Sequence, residues 1–91
     1  MVYPIQVIGS RASGRHKIDS DWDGQIISNL NYNKHLNIKK ILNRHEDFMR
    51  ELGCDGAFDL WLIMWYKGKR IAVKDHSYLQ PYKEFKWKYC L

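Results

Sequence analysis

Apolar and polar positions follow two rhythms along this chain, and the switch between them divides it. Residues 2–8 (VYPIQVI) are rich in Val, Tyr and Ile and predict a first strand. A second apolar run, Gln25-Ile26-Ile27, predicts a strand over 22–28. Between them, residues 9–20 read as a turn and short loop, with one helical turn after Ser10 and Ser10 as its N-cap. Asn29 to Asn33 (NLNYN) reads as a loop, since asparagine favours turns and caps. Over residues 34–52 the period becomes helical. Ile38, Ile41, Leu42, His45, Phe48, Met49 and Leu52 lie on one face, and Lys39, Lys40, Arg44, Glu46, Asp47 and Arg50 fill the other. Gly53 follows as the stop. His45, on the apolar side, reads as a packed histidine.

Residues 57–66 (AFDLWLIMWY) are the most apolar run, too continuous for a half-exposed strand, so they predict a central one. Lys67-Gly68-Lys69 predicts a tight turn, with residues 69–74 returning as the hairpin partner. Beyond Asp75 the pattern weakens, because Pro81 blocks a continuous strand and residues 83–89 (KEFKWKY) mix charge with aromatics. The reading is one α+β domain over 1–91, a small sheet backed by one main helix.

Composition narrows the class. Hydrophobic residues make up 45% and charged residues 27%, which fits a globular rather than a disordered chain. A net charge of +5 favours anionic partners such as nucleotides, nucleic acid or an acidic protein surface. No signal pattern opens the chain and no apolar run reaches membrane-spanning length. Cys54 and Cys90 give neither a disulfide framework nor a zinc spacing, so a reduced cytoplasmic protein is expected.

The candidate chemistry lies between the first two strands. Gly9-Ser10 at a strand end lets the backbone approach a phosphate and adds a hydroxyl donor. Arg11 and Arg15 follow within the same turn. Asp21 and Asp23, two residues apart, point to one face if they lie on a strand, and such hard oxygen ligands suit Mg²⁺. Taken alone, they also read as a polar loop. Asp59 is a lone carboxylate inside the apolar run, where it needs a cation or a Lys or Arg partner. Asp55, the competing candidate, sits between Cys54 and Gly56 in a turn composition that asks for no further role.

Ten residues separate Ser10 from Asp21, giving G-S, ten residues, D-x-D. This resembles the signature of the DNA polymerase beta-like nucleotidyltransferase superfamily. The nearer likeness is to its minimal nucleotidyltransferase branch, usually GSRARG followed by SDxDL. The corresponding residues here are Gly9-Ser10-Arg11-Ala12-Ser13-Gly14 and Ser20-Asp21-Trp22-Asp23-Gly24. The resemblance implies the α+β nucleotidyltransferase fold with a mixed sheet, and Asp59 matches its third aspartate, on a central strand. It further implies transfer of a nucleoside monophosphate from a nucleoside triphosphate such as ATP to a protein or RNA acceptor. Asp21, Asp23 and Asp59 would hold two Mg²⁺ or Mn²⁺ ions, with Gly9, Ser10, Arg11 and Arg15 on the phosphates. Crowded carboxylates repel, so at least one should have a raised pKa.

Three departures from that pattern stand out. Gly24 replaces a leucine, Ser13 replaces an arginine, and the first strand starts almost at Met1 where the family has a helix. A thin helical layer would leave apolar surface to cover by self-association or a partner. An inactive docking module is therefore the alternative, and members of this branch often pair with a helical toxin in toxin–antitoxin systems. A third class is single-strand nucleic-acid binding through Tyr82, Phe85, Trp87 and Tyr89 interleaved with Lys83, Lys86 and Lys88. The competing reading of that tail is a terminal strand, aromatics inward and lysines outward.

Overall fold

The computed structural model describes residues 2–91. Phe58–Tyr66 forms the centre of the molecule, because its aliphatic and aromatic side chains fill both faces of a sheet. In chain order the elements are β1 (Ile5–Ile8), α1 (Gly9–Ser13), β2 (Trp22–Asn31), α2 (Ile38–Glu51), β3 (Phe58–Tyr66), β4 (Lys69–Asp75), β5 (Tyr78–Pro81) and β6 (Tyr89–Cys90). Together they make an α+β domain with a six-stranded sheet ordered β5-β4-β3-β2-β1-β6. The sheet is mixed: β2 and β3 run parallel and every other neighbouring pair is antiparallel. The parallel pair requires a long crossover, which α2 supplies.

α2 starts at Ile38 rather than near Lys34 because asparagine side chains compete for the preceding amides. His35 N–H donates to Asn33 Oδ1 at 2.9 Å, and Lys40 N–H donates to Asn37 Oδ1 at 3.1 Å, which caps the helix. At the other end Gly53 takes φ +97°. Gly53 N–H then reaches the Arg50 carbonyl and Cys54 N–H the Met49 carbonyl, both at 3.0 Å, closing the last turn as a Schellman motif. The buried residues Ile38 and Met49 pack on Ile5, Ile26, Leu62, Met64 and Val73, so α2 covers one sheet face.

His45 is fully buried in that layer. Its Nδ1–H donates to the Ile41 carbonyl at 2.7 Å, and Nε2 accepts from Tyr3 N–H at 2.9 Å, so the ring is neutral. Burial pushes its pKa below the usual histidine value. A histidine whose pKa falls on folding contributes stability above its unfolded value of 6.5 and loses that contribution as pH drops below it. Denaturant melts should show the midpoint falling below about pH 6.5. His45→Gln should flatten that slope, and an unchanged slope would exclude His45 as its source.

β1 starts at Ile5 rather than Val2, and three further features differ from the sequence pattern. β2 continues through Asn29–Asn31, since Asn31 pairs with Trp65 across an irregularity after Ile27. There Ser28 Oγ donates to the Ile63 carbonyl at 2.7 Å in place of a ladder bond. Ser10 is not the N-cap of α1, because the chain turns at Gly9 and Ile8 holds the cap position without a side-chain bond. Finally, Pro81 ends a short strand, pairing with Ile71 at the outer edge where a missing N–H is tolerated.

The tail is not a continuous terminal strand. Tyr82 N–H bonds the Arg70 carbonyl beside β5, whereas Tyr89 pairs with Val7 at the far edge. The intervening residues must therefore cross the sheet. Gln25 Nε2 donates to the Lys83 carbonyl at 2.9 Å, which places the crossing on the face opposite α2.

Candidate functional site

The site is built by the register of β2 and β3. Asp23 and Asp59 are direct neighbours on parallel strands, so their side chains leave the sheet on one face. Trp22 and Leu60 point the other way, into the helix layer. The carboxylates therefore stand on the face that the C-terminal segment crosses. Asp21 lies just before β2, exposed and two residues from Asp23.

Gly9 stands against the Asp23 carboxylate. It takes φ +72° where β1 turns into α1, and a Cβ there would stand 3.2 Å from Asp23 Cγ and closer still to its Oδ2. Both the backbone conformation and the space require glycine. The Gly9-Ser10 turn and the Asp23 carboxylate are thus pressed together. Gly24, on the helix side, is explained by Leu60, whose Cδ2 would lie 2.9 Å from an added Cβ. Leu60 of the neighbouring strand fills the space that a larger residue at position 24 would need.

Asp23 has a raised pKa, first through burial and then through the charge of Asp21, with Lys74 opposing both. Lys74 belongs to this site although the sequence pattern did not single it out. Its Nζ pairs with Asp59 Oδ1, side chains 37% and 42% exposed respectively, and lies 4.8 Å over the Trp61 ring. The signal for it existed. The turn at Lys67-Gly68 pairs Tyr66 with Lys69, and the same register places Lys74 opposite Trp61, diagonal to Asp59.

The arginines divide differently. Arg11 Nη2 donates to the Ser20 carbonyl at 2.8 Å, and its guanidinium stacks 4.1 Å from the Trp22 ring centre. It ties the 14–20 loop to β2, away from the phosphate role. Arg15 is exposed and, with Gly9, Ser13, Phe85, Lys86 and Trp87, lines a recess of about 260 Å³. Asp55 lies apart from the carboxylates, its carbonyl accepting the Trp22 indole N–H at 2.8 Å.

Among the described residues, no group of three or more Asp, Glu, His or Cys side chains is gathered closely enough to hold a metal. Asp23 and Asp59 alone suffice for a Mg²⁺ ion that takes one or two carboxylates plus water and phosphate oxygens. By register and chemistry they are the donor pair such an ion would use once Lys74 releases Asp59. No helix among the described residues is long and apolar enough to cross a membrane. Compared with family models, curated proteins and solved structures, the chain matches none.

Proposed function

We propose that this chain transfers a nucleoside monophosphate from a nucleoside triphosphate to an acceptor hydroxyl. The observation that carries the reading is the convergence of the Gly9-Ser10 turn on the Asp23–Asp59 pair. Asp23 and Asp59 would hold the divalent cation, which when bound neutralises phosphate charge and polarises the reacting phosphorus. The Ser10 hydroxyl, half-buried in the turn beside Asp23, would donate to a terminal phosphate. The acceptor oxygen attacks the α-phosphorus, the bond to pyrophosphate breaks, and Asp59 takes the acceptor proton. Arg15 and Lys86, bordering the recess beside Gly9, would neutralise the departing pyrophosphate.

Lys74 has a switching part in this scheme. In the free chain it neutralises Asp59; when a triphosphate arrives, its ammonium would move to the phosphates. Lys74→Met should therefore tighten Mn²⁺ binding measured by calorimetry, by up to about fivefold for an exposed pair of this kind. Unchanged Mn²⁺ affinity would remove Lys74 from the metal site.

A catalytically weak docking module, acting on a protein partner, is the second reading. The Lys74–Asp59 ion pair and the structural use of Arg11 favour it. Radiolabel from an α-labelled triphosphate separates the two. Mg²⁺-dependent label on a protein or RNA acceptor supports transfer, whereas no label, with a melting point indifferent to ATP and Mg²⁺ together, supports docking.

A further inference from the structure

The face that carries the carboxylates also carries aromatic rings, several of them with a cation over the ring. Asp59, Trp61, Ile63 and Trp65 alternate onto this face of β3. Lys74 lies 4.8 Å over Trp61, and Tyr78 from the edge strand sits 5.7 Å from the same ring at 49°. Four residues along the strand, Arg70 stands between Trp65, at 5.1 Å, and Tyr82, at 5.8 Å. On the crossing segment Lys86 lies 5.4 Å from Trp87. Trp65 is 36% exposed, Tyr78 53% and Trp87 59%, while Trp61 and Tyr82 are half-buried. Ile63 and Ala72, between the first two clusters, are buried.

An apolar protein segment would be matched by rings without this charge. A surface that alternates flat rings with ammonium and guanidinium groups matches a ligand that alternates flat rings with phosphates. The chain's net charge of +5 adds long-range attraction for a polyanion. We infer that this face binds single-stranded nucleic acid, bases stacking at the Trp61–Tyr78 and Trp65–Tyr82 clusters and phosphates meeting Lys74, Arg70 and Lys86. A duplex keeps its bases stacked inside, so it could offer only its phosphates.

This binding goes beyond nucleotidyl transfer and needs neither metal nor triphosphate. The test is quenching of tryptophan fluorescence by a twelve-nucleotide oligothymidylate in EDTA, over a series of salt concentrations, beside a duplex of the same length. Affinity should fall linearly with log salt, by about 0.7 log units per phosphate contact, and the single strand should bind tighter. Trp61→Ala and Trp65→Ala should each weaken binding roughly 5- to 150-fold, the effect of losing one stacked base. Trp61→Phe, which keeps a ring, should restore most of the loss and guards against a folding artefact. Asp59→Asn should leave binding intact or tighten it, so failed transfer and failed binding are read separately. Equal affinity for the duplex, or unchanged binding by both alanine variants, would overturn the inference. So would a concentration-dependent dimer, broken by Trp65→Ala, that no oligonucleotide displaces.

Discussion

Asp59→Asn is expected to abolish transfer while the fold survives. The substitution keeps the shape of the side chain on β3 and removes the charge that would hold the cation and accept the proton. Losing several kcal/mol of transition-state charge stabilisation corresponds to a fall in rate of about 10³-fold or more. The structural cost is small. The ion pair lost with Lys74 is well exposed, and such pairs contribute about 0–1 kcal/mol. A labelled-triphosphate assay run beside thermal melts reads both. Asp55→Asn is the control, because Asp55 touches the site only through its backbone bond to Trp22. Ser10→Ala should fall between them, losing one donor to a charged phosphate, about 1.5–3 kcal/mol. Transfer that survives Asp59→Asn would take Asp59 out of the mechanism.

Gly9→Ala carries the largest expected effect on the folded state. Alanine at φ +72° would sit in a left-handed conformation that L-residues rarely adopt, and its Cβ would run into the Asp23 carboxylate. Together these should cost about 1–3 kcal/mol. For a domain of this size that is a drop in melting temperature of roughly 5–20 °C. Gly14 separates the two causes, since it has φ +77° with nothing within 4 Å of an added Cβ. Gly14→Ala should therefore show the backbone cost alone. The excess at Gly9 should shrink when Asp23→Ala is combined with it, because the two residues touch. Equal melting points for Gly9→Ala and Gly14→Ala would mean that Gly9 is not pressed against Asp23.

Much of the fold was written locally. The helical period over 38–49, the tight turn at Lys67-Gly68 and the apolar run of β3 all specify their elements through side chains close in sequence. Trp61 and Ile63 lie in the sheet, as that run requires. Errors fell where distant strands decide. Asn29–Asn31 look like a turn by composition, yet they extend β2 because Trp65 offers a partner. β5 was hidden because an edge strand can carry Pro81, and a pattern of buried positions is weak there.

The candidate site shows the same division. Its residue types and spacing, Gly9-Ser10 ahead of Asp21 and Asp23, were legible because adjacent strands joined by a short loop keep their chemistry together in the chain. The hairpin register also held Lys74 in reach of Asp59, since a two-residue turn fixes every later pair. What no local pattern contains is the parallel pairing of β2 with β3, which alone puts Asp23 beside Asp59. The same holds for the Gly9–Asp23 contact, and for the path of residues 82–89 across the carboxylate face. Those depend on which surfaces α2 leaves uncovered once the core has closed. Sequence determined the groups this protein can present; tertiary packing decided which of them share a face, because strand register and edge order are set by burial over the whole sheet.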